Sequence, residues 1–297
     1  MASPLAALVR RLAAVPTGLQ AMGYMLASAM TISGMNGVVI HLTASMHVFE
    51  IAFIRQVIGA VFMTLAFGRR GFRLLHTRRL PMHVLRAALN VVAMVCFFLG
   101  LASEAMATVV SLSLSVPLLA SLAAVVFLGE PMRARRWIAL GLGLVGSLAI
   151  IRPGVQPVSF GVVMVLVSNV VWAFGLVTIK SLTRTDSSVT ITFYAALLQT
   201  PMALCFAAFV WTWPSAEQLL WLAVIGVFGT LAQLSLSHAF RLADATLVLP
   251  VDFTKVIWAG LIGYLAFGQV PQPWVWVGAV IVFCGVLYNA LQERGVP

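Results

Sequence analysis

Ten apolar runs, each 18 to 24 residues long and separated by short breaks, fill almost the whole chain: 18–40, 48–67, 82–101, 105–128, 134–151, 158–180, 189–210, 217–239, 244–267 and 273–291. About 20 apolar residues carry a helix across a hydrocarbon core, so each run is long enough for one crossing. Lipid leaves a backbone N–H or C=O without water, and these runs are too long for barrel strands, so all ten are expected to be helices. The breaks carry the residues that end helices: Gly68-Arg69-Arg70-Gly71, Gly129-Glu130-Pro131, Arg152-Pro153-Gly154 and Gln269-Val270-Pro271-Gln272-Pro273.

Composition excludes a water-facing globule. Hydrophobic residues make up 62% of the chain and charged ones 9%, and mean hydropathy is +1.05, whereas soluble domains devote about a quarter of their residues to charge. The net charge of +10 raises the question of nucleic acid. The basic residues, however, lie in short clusters between apolar runs and form no face interleaved with aromatics, so no nucleic-acid partner is expected. Cys96, Cys205 and Cys284 fall in three separate runs without paired spacing. That argues against a disulfide framework, a zinc site or any other metal, and they read as buried thiols. Arg10 and Arg11 precede the first run as in a signal peptide, but the run is too long for one and is taken as the first membrane helix.

Counting Lys and Arg in alternate loops tests the number of spans, because cytoplasmic loops are enriched in them. One side collects fourteen, from Arg10 and Arg11 through the clusters at 69–79, 133–136 and 180–184 to Arg241 and Arg294; the other collects Arg152 alone. Both termini are therefore expected in the cytoplasm, with tails at 1–17 and 292–297. An even number of spans follows without reference to hydropathy.

The chain also repeats itself. Phe127-Leu128-Gly129-Glu130-Pro131 has a counterpart in Ala266-Phe267-Gly268-Gln269-Val270; seven residues after Glu130 and Gln269 stand Trp137 and Trp276, and sixteen after stand Gly146 and Gly285. Ala105-Met106-Ala107-Thr108 parallels Ala243-Asp244-Ala245-Thr246 with one residue of slippage. Five spans per copy is an odd number, so the copies, 18–151 and 158–291, are expected to cross the membrane in opposite orientations. The reading is an all-α integral membrane protein of ten transmembrane helices in two inverted five-helix repeats, a transporter design whose substrate site lies near the midplane between repeats.

The order of a small-residue helix start, Pro117 within a helix, the Gly129-Glu130 turn and a Gly-rich helix (Gly141, Gly143, Gly146), near the end of each half, resembles the EamA family of the drug/metabolite transporter superfamily. The resemblance covers nearly the whole chain. It implies a multi-pass transporter of the bacterial inner membrane that exports amino acids or related metabolites, with YddG-like amino-acid exporters as the nearest members. The second copy departs from the pattern: Gln269 replaces the Glu, and Lys255 stands near where the first copy has Pro117.

Charges inside spans are expensive, about 2.5–3.5 kcal/mol each on insertion scales, and mark candidate sites. Asp252 and Lys255 lie three apart on one face of the ninth span, either as a structural ion pair or as part of a substrate path. Glu50 and Arg55 lack that spacing and read as snorkelling at the interface. An amphiphilic metabolite needs apolar walls with a few placed polar groups. Tyr24, Ser28 and Thr31 form one stripe of the first span, and Asn90, Met94 and Phe97 another in the third. Ser168 and Trp172 are a turn apart in the sixth, and Gln233 and Ser237 in the eighth. Each of the polar ones can equally be a hydrogen bond between helices. The Gly residues of 141–146, 226–229 and 260–263 read as close-packing positions or hinges, and Pro117 as a kink that opens a site or flexes. An enzyme is not expected, since no phosphate loop, His-Glu-x-x-His or Gly-x-Ser-x-Gly motif occurs and His41, His47 and His76 fall in loops. The alternative, a membrane-embedded hydrolase or lipid-modifying enzyme, rests on His238 near Ser235 and Ser237 and lacks an oriented base and an oxyanion hole. No cofactor and no ATP-binding segment is expected, so transport is facilitated or gradient-coupled. The expected partners are a small-molecule substrate and the bilayer; the oligomeric state is left open.

Overall fold

The computed structural model describes residues 16–67, 77–128, 134–152, 154–155, 157–182, 185–243 and 251–293. Among them the chain is helical throughout, with no strand. The helices are α1 (Thr17–Thr43), α2 (Val48–Phe67), α3 (Leu80–Ser103), α4 (Met106–Ser113), α5 (Val116–Leu128), α6 (Ala134–Ile151), α7 (Phe160–Leu182), α8 (Ser188–Ala207), α9 (Ala216–Leu242), α10 (Thr254–Phe267) and α11 (Pro273–Glu293). Each predicted run contains a helix. Among the described residues six helical stretches are long and apolar enough to cross a membrane, and Leu140–Ile151, Thr254–Phe267 and Pro273–Tyr288 are shorter apolar ones.

Local chemistry sets the ends. Ser187 accepts the backbone N–H of Thr190 at the start of α8, and Ser215 with Gln218 forms a capping box on α9. Gly268 adopts the left-handed conformation (φ 63°) and closes α10, its N–H on the Tyr264 carbonyl and that of Gln269 on Gly263. Gln269 is thereby turned toward the start of α4, where its Oε1 accepts the Met106 N–H at 3.0 Å. The residue that departs from the repeat thus caps a helix.

The outer surface is apolar, as lipid requires: Leu65, Phe209 and Leu265 are 77%, 88% and 72% exposed. Cys205 and Cys284 are exposed as well. This corrects the expectation of buried thiols, because a thiol faces hydrocarbon as readily as core. His41 lies in the last turn of α1 and packs edge-on against Trp221, not in a loop.

Long-range packing pairs α1 with α9 and α3 with α7; α6 packs on α11 and α2 on α8; α5 lies on α7 and α10 on α1. At the α6–α11 contact two glycines bring the backbones together. A Cβ on Gly146 would lie 2.7 Å from the Gly278 carbonyl oxygen, and one on Gly278 would lie 2.5 Å from that of Gly146. Gly143 and Gly226 are likewise filled against, by Leu118 and Ile58. These contacts answer the choice between packing and hinge in favour of packing at Gly143, Gly146 and Gly226.

Contacts between connecting segments sort by end. Thr77 and Arg79, before α3, bond Asp186, after α7, and Ser181, in its last turn. At the other end Glu50 accepts from Thr212, Gln218 reaches Ser45, Glu104 meets Ser159 and Arg152 meets Gln272. Both sets keep odd-numbered predicted loops with odd and even with even. Asp186 shows how firmly one end is tied. Burial pushes its carboxyl up, but hydrogen bonds from His83 (2.9 Å) and Thr77 and the positive charge of His83 and Arg79 outweigh that and hold it below the ordinary carboxylate range.

Candidate functional site

Two helix breaks build the site. The span predicted at 105–128 is split by a turn at Leu114 and Ser115, so Pro117 sits in the first turn of α5. It lacks the N–H that would bond the Ser113 carbonyl, and the helical ladder is interrupted directly before it. At the turn the Leu112 carbonyl takes the Ser115 N–H (3.1 Å) and Oγ (2.8 Å) and also accepts from the Asn169 Nδ2 of α7 at 2.9 Å; the same amide reaches Ser115 Oγ at 3.3 Å. In the second half a turn at Phe253 precedes α10, and Ser33 of α1 donates to the Lys255 carbonyl at 3.2 Å. Leu114 and Phe253 are 139 residues apart, the offset that also aligns Glu130 with Gln269.

The two breaks meet. Leu114, Pro117, Asp252, Phe253, Lys255, Phe283 and Val286 line one small cavity. Within it Lys255 Nζ donates to Asp252 Oδ2 at 2.7 Å, with the two side chains 22% and 23% exposed. The ring of Phe253 packs on Phe283 with centroids 4.5 Å apart. Two helix turns and an ion pair thus meet at one apolar junction, charge beside hydrophobic wall.

The other residues named from sequence are spread through the bundle. Ser28 is buried and donates to the Ala232 carbonyl (2.9 Å), while Ser168 donates to that of Ala93 (2.7 Å). Both join helices directly. Ala232 follows Ala93 by 139 positions and Ser168 follows Ser28 by 140. Asn90 is buried with its Oδ1 unpartnered, Phe97 packs against the core, and Tyr24 stacks on His238 at 5.4 Å. Trp172 and Gln233 are exposed on α7 and α9, away from the cavity at the breaks. The side chain of Ser237 lies outside the described residues. Three residues took roles that sequence reading missed. Asn169 is the satisfier of a helix break, signalled by an amide beside Ser168 in mid-span. Glu50 is buried, not snorkelling, and binds Thr212. Arg55 points inward, and its Nη1 meets Met94 Sδ at 3.0 Å.

Asn169→Leu should remove one of three donors on the Leu112 carbonyl, the Ser115 N–H and Oγ remaining, and lower stability by about 0.5–1.5 kcal/mol. A reduced melting temperature in detergent checks it, and adding Ser115→Ala should lower it further.

A family model described as the EamA-like transporter family matches residues 21–152 and again 159–291. The chain belongs to that family. An S-adenosylmethionine uptake transporter of Rickettsia felis is 26% identical over 281 residues, covering 95% of this chain and 96% of that protein. A riboflavin transporter of Vibrio cholerae is 31% identical over 222 residues and 74% of each. A pseudopaline exporter of Pseudomonas aeruginosa is 29% identical over 272 residues, covering 90% of this chain and 95% of that one. One solved crystal structure has a TM-score of 0.60 at 18% identity over 94% of this chain and 96% of that one, a likeness of fold. Membership makes the chain a multi-pass membrane transporter and not an enzyme, so the hydrolase alternative built on His238 is set aside.

Proposed function

We propose that this chain moves small amphiphilic metabolites through ten membrane spans by alternating access, the halves 18–151 and 158–291 rocking as inverted repeats about the junction of the two helix breaks. The observation that carries this reading is the pairing of contacts across the halves. Ser28 on Ala232 is answered by Ser168 on Ala93, and the turn at Leu114 by the turn at Phe253. The packing of α1 on α9 is matched by α3 on α7, which is what a two-fold axis relating first to sixth and third to eighth spans produces. Amino acids and related zwitterions are the first cargo to test, because Asp252 and Lys255 offer one charge of each sign. The relatives named for S-adenosylmethionine, riboflavin and pseudopaline give a second panel. Export is the expected direction in a bacterial inner membrane, and no hydrolysis of ATP drives it.

Purified protein in liposomes should exchange labelled amino acids or S-adenosylmethionine for unlabelled cargo inside. Indifference to amino acids with exchange of riboflavin would replace the cargo, and indifference to both panels would overturn the reading. Topology has its own test. In a variant with Cys96, Cys205 and Cys284 replaced, a cysteine at Arg73 should resist an impermeant thiol reagent in intact cells, since the 69–79 and 133–136 clusters supply eight of the fourteen basic residues assigned to the cytoplasm. Labelling from outside would reverse the orientation.

A further inference from the structure

Arg55 is the eighth residue of α2, two turns into the span, and no carboxylate among the described residues pairs with it. Its Nη1 meets the Met94 sulfur at 3.0 Å, a weak acceptor. Its Nε is buried and has no partner. The guanidinium lies against Gly229 of α9, where a Cβ would come 3.3 Å from Nη2, 3.4 Å from Nε and 3.1 Å from the sulfur of Met35 on α1. Four helices thus close around it. The carboxylates of Glu50, Glu104, Asp186 and Asp252 are held by Thr212, Ser159, His83 and Lys255. One turn before Met94, on the same face of α3, Asn90 presents a buried Oδ1 that also lacks a partner and faces Gly175.

A half-buried cation whose Nε is sealed from solvent without a partner is costly, and packing alone does not explain keeping it. A carboxylate would satisfy it twice over, through Nε and one Nη in the fork geometry that arginine offers and lysine does not. An acceptor one turn away suits a donor next to that carboxylate. We propose that Arg55 is the anion subsite of the transport path, binding a substrate carboxylate, with Asn90 taking an adjacent amino or hydroxyl group. The proposal rests on the transporter reading and narrows its cargo to carboxylates bearing a neighbouring donor.

The test uses full-length protein, in detergent for melting temperature and in liposomes for flux, with two matched pairs: L-tryptophan and L-tryptophanamide, S-adenosylmethionine and its methyl ester. At least one acid should raise the wild-type melting temperature by several degrees while its carboxylate-free partner does not. Arg55→Met should abolish that response and reduce flux of that acid by at least about tenfold. Its ligand-free melting temperature should equal or exceed the wild type, since the lone charge is gone. Arg55→Lys should restore part of the response. The proposal is overturned if neither acid stabilises the wild type, if acid and partner act alike, if Arg55→Met keeps the response, or if ligand-free Arg55→Met melts well below the wild type, which would mark a structural arginine. Flux separates the two readings. Transport of carboxylate-free cargo alone sinks the subsite and spares the transporter, whereas Arg55-dependent stabilisation by an acid with no flux of anything does the reverse.

Discussion

Gly146→Leu should yield no monodisperse folded protein. Inserting atoms into a packed interior costs about 1–3 kcal/mol when neighbouring side chains can turn aside, but here the obstacles do not turn. A Cβ at 146 would lie 2.7 Å from the Gly278 carbonyl oxygen and 2.8 Å from the Val282 nitrogen, backbone atoms of α11. The two helices must part along their length, so contacts on either side, Ile150 against Gly278 and Val282 against Gly146, are lost together. The loss should exceed that range and consume much of the roughly 5–15 kcal/mol that keeps a protein folded. Gly278→Leu should act alike from the other side. Gly141→Leu, on the same helix with nothing within 4 Å of its Cβ, should run as a single peak. Size-exclusion profiles in detergent and melting temperatures decide the matter; a folded Gly146→Leu protein would mean that α6 and α11 do not pack this closely.

The contrast between Gly141 and Gly146 shows where sequence reading reached and where it stopped. Both are glycines of one helix with the same spacing signal, and only the partner helix distinguishes them. Runs of about 20 apolar residues are self-evident because lipid imposes one backbone solution on them. Of the basic clusters assigned to one side, Arg79 meets Ser181 at one end of the bundle, whereas Arg69, Arg70, Arg73 and Arg184 lie outside the described residues. Interior choices were not legible. Ser28 and Ser168, read as cavity candidates, tie helices together, while Asn169, adjacent to one of them, supports the break that builds the cavity. Identical chemistry serves both roles, and a hydroxyl's partner is fixed by packing alone. Pro117 was legible for a local reason: a proline in an unbroken apolar run removes one ladder bond, and the helix is interrupted at Leu114 and Ser115 directly before it. Arg55 misled by its place in the chain: near a predicted helix start a long side chain is expected to reach outward, but Gly229 opens a space for it inward.

Asp252→Asn should lower the melting temperature and stop flux, and Lys255→Met added to it should restore the first but not the second. The pair is made at 2.7 Å and its side chains keep 22% and 23% of their exposure, so it is shielded less than a fully buried bridge, whose breakage costs about 3–5 kcal/mol. Neutralising Asp252 leaves the Lys255 ammonium facing Leu114, Pro117, Phe253, Phe283 and Val286, and a loss of about 1–3 kcal/mol is expected. Removing both charges leaves no unpaired ion, and a methionine fits the same apolar surroundings, so stability should return. Flux should not follow it. The pair sits where the turns at Leu114 and Phe253 meet, with residues of both lining a shared cavity. A substrate crossing between the halves, or a rearrangement of them, must exchange partners with these charges. A double mutant that is as stable as the wild type and transports as fast would make the pair a lock between α10 and its surroundings and remove both residues from the substrate path. Retained stability and flux in Asp252→Asn alone would go further, because the contact would then contribute nothing in the bilayer.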